Sequence, residues 1–353
     1  MVLASRLRSR HERKRSQQIH ALASLPQPSD APREIQAATI ATIEELPTEV
    51  VLERARLVSE APARMPYIGI YGKYNKRWYV DIVTLPDNAI RCLVSAAFEL
   101  IGAAHRLALD MTVPDFDQLF AFLSEFDHFI RVIFDSEEKV LYPEMEHALK
   151  KRADYSTFAL HPSSRAATRA HVHALLNQLT DEELRHTPSV TAIRLLQQTM
   201  DSLSTQLLDY FNVKECTLPR VFFRSFRGCK EKNRMETRLI RYFEDANNEY
   251  YYSALLTLPL NNEQVRLDFE ERHFARQNKR ESYRHAVNAV QGTLLAIPRR
   301  FEQAARSYEQ RFSVKTFVEK YGTDRDQHAT TQLVDEKGAS PPRAPIASSA
   351  AAS

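Results

Sequence analysis

Residues 133–143 read IFDSEEKVLYP, and residues 210–219 read YFNVKECTLP. With Phe134 laid on Phe211, Glu138 falls on Glu215 and Glu137 falls on Lys214. Each run ends in a proline, one residue earlier in the second copy. Each also closes a long helical pattern. The first belongs to FDQLFAFLSEFDHFIRVIFDSEEKVLYPEMEHALKKR (116–152), and the second to TAIRLLQQTMDSLSTQLLDYFNVKECTL (191–218). Two long amphipathic segments carrying the same echo point to a helical protein.

The neighbouring segments extend this pattern. In DNAIRCLVSAAFELIGAAHRLALDM (87–111), Ile90, Leu93, Val94, Ala97, Leu100, Ile101 and Ala104 recur at helical spacing. Thr112-Val113-Pro114 breaks the pattern, and Asp115 can cap the helix that follows. AATRAHVHALLNQL (166–179) supplies a third helix, DEELRHTPSV (181–190) a connector, and the fourth helix is expected to stop at Pro219. Four helices with short connections are the sequence form of an antiparallel bundle.

The composition agrees. The 353 residues include 7 glycines, too few for an architecture built on tight hairpin turns. None of these glycines forms GxGxxG or GxxxxGK[ST], which excludes the two standard phosphate-cradling loops. Three cysteines (Cys92, Cys216 and Cys229) without a CxxC fit a reducing compartment, and Cys216 and Cys229 read as buried thiols. No apolar run is long enough to span a bilayer. The location implied is cytoplasmic, with a mitochondrial address as the alternative suggested by the Arg- and Ser-rich start.

This reading divides the chain into a disordered basic tail (1–33), an N-terminal helix and extended arm (34–83), the bundle (84–223), a helical extension docked on it (224–321) and a disordered tail (322–353). Aromatic and β-branched residues in MPYIGIYGKYNKRWYVDIVTLP (65–86) favour an extended arm or short hairpin. Charge is uneven. Residues 84–150 carry 12 acidic and 5 basic side chains, whereas residues 220–330 carry 15 acidic and 21 basic. A basic helical half beside an acidic one suggests docking of one on the other. The alternative is a nucleic-acid surface, weakened by the glutamates interleaved among the basic residues. YYY at 250–252 reads as packing between helices.

The echoed motif resembles the hemerythrin-like, or HHE cation-binding, domain family. The resemblance covers roughly residues 84–223. It implies an all-α, up-down four-helix bundle whose His and carboxylate side chains ligate a non-haem di-iron centre. His and Glu at i and i+4 share a helical face, so both can reach a metal in a bundle core. Carried over position by position, the ligand set is damaged: Asn88, Ile133 and Tyr210 stand where the family has histidines, and Ala167 where it has a further third-helix ligand. The survivors are Glu137, His171 and Glu215, with Tyr210 as a lesser candidate. Of His171 and His173, only one can face the core. This remnant favours no metal, or one weakly held ion, over an intact di-iron centre. Lys214 or Arg131 could satisfy the carboxylates instead.

Three functions are therefore expected in this order. The first is an interaction or structural module with an eroded metal site, its C-terminal helices presented to a protein partner. The second is a metal- or dioxygen-binding sensor with a reduced ligand set. The third is a binder of nucleic acid or anionic membrane through the basic ends. No catalytic constellation is found, so an enzyme is not expected.

Overall fold

A computed structural model of the chain describes residues 48–59, 68–69, 74, 77–149, 160–226, 229–246 and 250–312. The two tails expected to be disordered, and most of the expected N-terminal arm, lie outside the described residues. Among the described residues the protein is helical, with no strand.

Helix α1 spans Thr48–Ser59 and α2 spans Trp78–Leu107. The expected extended arm is corrected here, because residues 78–86 form the first turns of α2. Residues 81–91 of α2 are buried on every side, and a helix surrounded by protein overrides the strand preference of Ile82, Val83 and Thr84. Pro86 is accommodated inside the helix. Helix α3 (Val113–Ser136) starts where Asp115 accepts the backbone N–H of Thr112 at 2.8 Å. It passes into a π-helical turn at Glu137–Leu141 and then into α4 (Tyr142–Leu149). The wider turn precedes Pro143, which has no N–H to give to an α-helical ladder.

Helix α5 covers Pro162–Leu179, and α6 runs from Ser189 to Ser225. The expected stop at Pro219 is also corrected: α6 continues through that proline for six further residues. Helix α2 packs on α3, α3 on α5, α5 on α6, and α6 on α2, so that these four make a closed ring of neighbours.

The C-terminal part adds α7 (Cys229–Ala246), α8 (Tyr251–Leu256), α9 (Glu263–His273), α10 (Gln277–Ala289) and, after a second π turn at Val290–Leu294, α11 (Ala296–Phe312). These helices do not stand apart. Helix α11 lies along α2, and α7 lies against α3 and the first π turn. One continuous apolar core runs from Leu57 to Ala305, including Phe129, Phe222, Phe243, Leu255 and Phe301. The Phe129 and Tyr252 rings meet across the junction at 6.1 Å, and Tyr250 meets Phe274 at 5.5 Å.

The ion pairs across the junction run both ways. Glu144 of α4 receives Arg234 and Arg238 of α7, as the charge asymmetry predicts. Arg106 of α2, with the opposite polarity, holds Glu302 and Glu309 of α11. Apolar burial therefore carries the docking, and exposed or half-exposed ion pairs contribute little by comparison, about 0–1 kcal/mol each.

Candidate functional site

The interior of the ring contains a polar cluster that the surrounding apolar residues seal from water. Asp87, Asn88 and Arg91 come from α2, Glu137 from the π turn, Tyr142 from α4, and Tyr210, Lys214 and Glu215 from α6. All eight are buried. The Lys214 ammonium is wholly inaccessible; it donates to Asp87 Oδ1 at 2.5 Å and is paired with Glu137 Oε1. The Tyr210 hydroxyl donates to the other oxygen of Glu137 at 2.5 Å and touches the Tyr142 hydroxyl, which lies 3.5 Å from the same oxygen. Arg91 makes a two-pronged pair with Glu215, at 2.6 and 2.9 Å, and donates to Asn88 at 3.0 Å. Its guanidinium lies over the Phe211 ring at 5.1 Å.

The electrostatics follow from this inventory. Burial alone would pull the Lys214 ammonium towards neutrality, but Asp87 and Glu137 outweigh it and hold its pKa above the ordinary lysine value. The lysine is thus kept charged, which makes it neither a nucleophile nor a base. If fully ionised, Asp87, Glu137 and Glu215 would face only two cations, Lys214 and Arg91, and the cluster would carry a buried excess of one negative charge. The excess bears most on Asp87. Burial pushes its pKa well above the carboxylate range, and Glu215 and Glu137 add to the rise against the pull of Lys214. Its second oxygen, Oδ2, has no hydrogen-bond partner among the described residues, so that oxygen lacks a donor that would favour the anion. Burial likewise raises Tyr142 and Tyr210, so both hydroxyls remain protonated donors.

The sequence-derived ligand candidates are not brought together. Glu137 and Glu215 face inward, but each is held by a different cation. His171 is exposed on α5. The inward residues of α5 are Arg165, Val172, Leu175, Leu176 and Leu179. Val172 takes the core position between the two histidines, which corrects the expectation that one of them would occupy it. His173 is half-buried at the rim against the Phe134 ring, and its pKa is lowered by burial and by Arg131 and Arg169. Arg131 serves Asp127 and Asn177 rather than the core carboxylates. Glu138 turns away from Glu137 to Arg165. Cys216 is an exposed free thiol, contrary to the expectation of a buried one.

Sequence reasoning missed Arg91 and Tyr142. The available signal was a charged residue, Arg91, set four after Asp87 among the apolar positions of α2, a spacing that puts both on one face.

The di-iron centre that the resemblance implies does not fit these donors. Of the two surviving carboxylates, Glu137 is held by the Lys214 ammonium and the Tyr210 hydroxyl and Glu215 by Arg91, and Ile133 presents a buried hydrocarbon at a ligand position. Among the described residues, no group of three or more His, Cys, Asp and Glu side chains is arranged to hold a metal ion. No protein-family model matches the chain, and neither a curated protein nor a solved structure matches it.

Proposed function

We propose that this chain is a hemerythrin-like four-helix bundle whose metal-ligand positions have become an internal ion-pair network, and that it acts as an interaction or structural module rather than through metal chemistry. The observation that supports this best is Lys214. Its fixed positive charge is paired with Glu137, a carboxylate that the resemblance makes a metal ligand, and with the neighbouring Asp87. An ammonium satisfies two carboxylates without a metal, and it repels any cation that approaches them. The closed ring formed by α2, α3, α5 and α6 is compatible with the up-down bundle of that reading.

The basic C-terminal half fits a phosphate-binding stripe less well. Arg234 and Arg238 are paired with Glu144, Lys279 with Glu244, and Arg280 and Arg284 with Glu270.

Elemental analysis of full-length protein expressed with iron tests the reading. It is expected to give clearly fewer than two metal ions per chain and no oxo-bridged di-iron absorption. The Ile133→His variant is expected to gain no metal while Lys214 remains. Two tightly held irons per chain would refute the proposal.

A further inference from the structure

Outside the core cluster, the described surface contains a groove of about 330 Å³ between the start of α2 and the last turns of α6. This is within the lower part of the size range of small-molecule sites, about 300–1,000 Å³. Its wall is aromatic: Tyr79 and Phe223 pack at 5.1 Å, and Phe223 is 61% exposed, the most exposed aromatic of the described core and surface. Arg77 and Arg220 line the groove, and both are exposed. Among the described residues neither makes an ion pair. Glu215 also lines the groove, but its carboxylate is already neutralised by the two-pronged pair with Arg91. The groove therefore has an excess of two positive charges beside an apolar wall.

The two arginines have different local explanations. Arg220 lies near the C-terminal end of α6, where a cation complements the helix dipole. Arg77 does not have that role. It is the N-cap of the 30-residue α2, it makes no side-chain cap bond, and it places a cation at the positive end of the dipole. A positive side chain, a positive helix end and a second unpaired guanidinium around one cavity are an arrangement that an anion would relieve.

We infer that this groove binds a small monocarboxylate with an aromatic or alkyl body, the carboxylate between Arg77 and Arg220 and the body against Tyr79 and Phe223. The groove would have this property whatever occupies the core.

The single tryptophan, Trp78, provides the readout, since its ring lies 6.0 Å from that of Tyr79. The experiment is a fluorescence titration of the full chain with 3-phenylpropionate, 3-phenylpropionamide and inorganic phosphate. The acid should give a saturable change, and the amide should bind at least about tenfold more weakly. Arg77→Gln and Arg220→Gln should each weaken the acid about tenfold without altering the circular dichroism melt, because both residues are exposed. Phe223→Ala should weaken it too. No saturation by the acid up to about 10 mM, or equal binding by the Arg77→Gln/Arg220→Gln double variant, would overturn the site. Phosphate binding as tightly as the acid would overturn the role of the aromatic wall and hence the ligand class.

Discussion

The segments 133–143 and 210–219 carry matched residues and use them in opposite ways. In the first, Glu137 stands on a π-helical turn and points into the core, while Glu138 points out to Arg165. In the second, the helix stays α-helical, Lys214 takes the inward position of Glu137, and Glu215, the match of Glu138, also turns inward to meet Arg91. The two equivalent inward residues, Glu137 and Lys214, are each other's ion-pair partners. A symmetric pair of carboxylates would have needed an external cation. Replacing one of the pair by lysine brings the cation into the chain itself, and Arg91 does the same for Glu215. The comparison teaches that a charge change in one half of a repeat lets its matched positions neutralise each other within the chain.

The largest effect is expected when that pairing is broken. Lys214→Met leaves Asp87 and Glu137 buried without their cation, and should cost about 3–5 kcal/mol in a denaturant melt. Adding Glu137→Gln to Lys214→Met should recover part of the loss. A single variant as stable as wild type would show that the cluster does not depend on its lysine.

The two outer glutamates of the echo should differ next. Glu215→Gln weakens a buried two-pronged pair and is expected to cost about 2–3 kcal/mol. Glu138→Gln affects a pair whose carboxylate is one-third exposed, and should cost no more than about 1 kcal/mol. Equal losses would mean that the two copies are energetically equivalent despite their different burial.

The smallest effect concerns protonation. The pKa of Asp87 is raised in the folded state, so the native protein retains a proton that the unfolded chain releases near pH 3.9. Stability from this group is therefore fully present below about pH 4 and is lost as pH rises towards the folded pKa. Asp87→Asn retains an acceptor for Lys214 and cannot ionise. It should change stability by about 1 kcal/mol or less at low pH, and should flatten the decline above about pH 4. An unchanged slope in melts across that range would show that Asp87 is ionised in the folded protein.

Much of this arrangement was legible in the residues. The spacing in 87–111 and 116–136 is that of buried helices, and the echo singles out Glu137, Lys214 and Glu215. The elements that were not legible have specific causes. Ile82, Val83 and Thr84 favour strand in isolation, and only their burial on all sides makes them helical. His171 matches a ligand position by motif, but the apolar register through Val172, Leu175, Leu176 and Leu179 rotates it outward. Pro143 and Pro219 look alike in sequence. One follows a π turn and the other lies within a continuous helix. Charge totals pointed to docking of the C-terminal half, but totals do not reveal that Arg106 bonds to Glu302 and Glu309 against the overall polarity.

The position of α11 along α2 has a consequence for how the chain is made. Arg106 and Glu309 lie 203 residues apart in sequence, and Tyr308 donates to Asp110 across 198. While the protein is being synthesised, α2 leaves the ribosome long before the helix that covers it. Its apolar flank, and with it Leu107 and Val51, must wait through roughly 200 further residues, about 10–40 seconds at ordinary elongation rates. Final consolidation is thus a late, long-range event with a high loop-closure cost, and any nascent chain released before Phe301 and Tyr308 have emerged carries an uncovered seam that invites chaperones or aggregation.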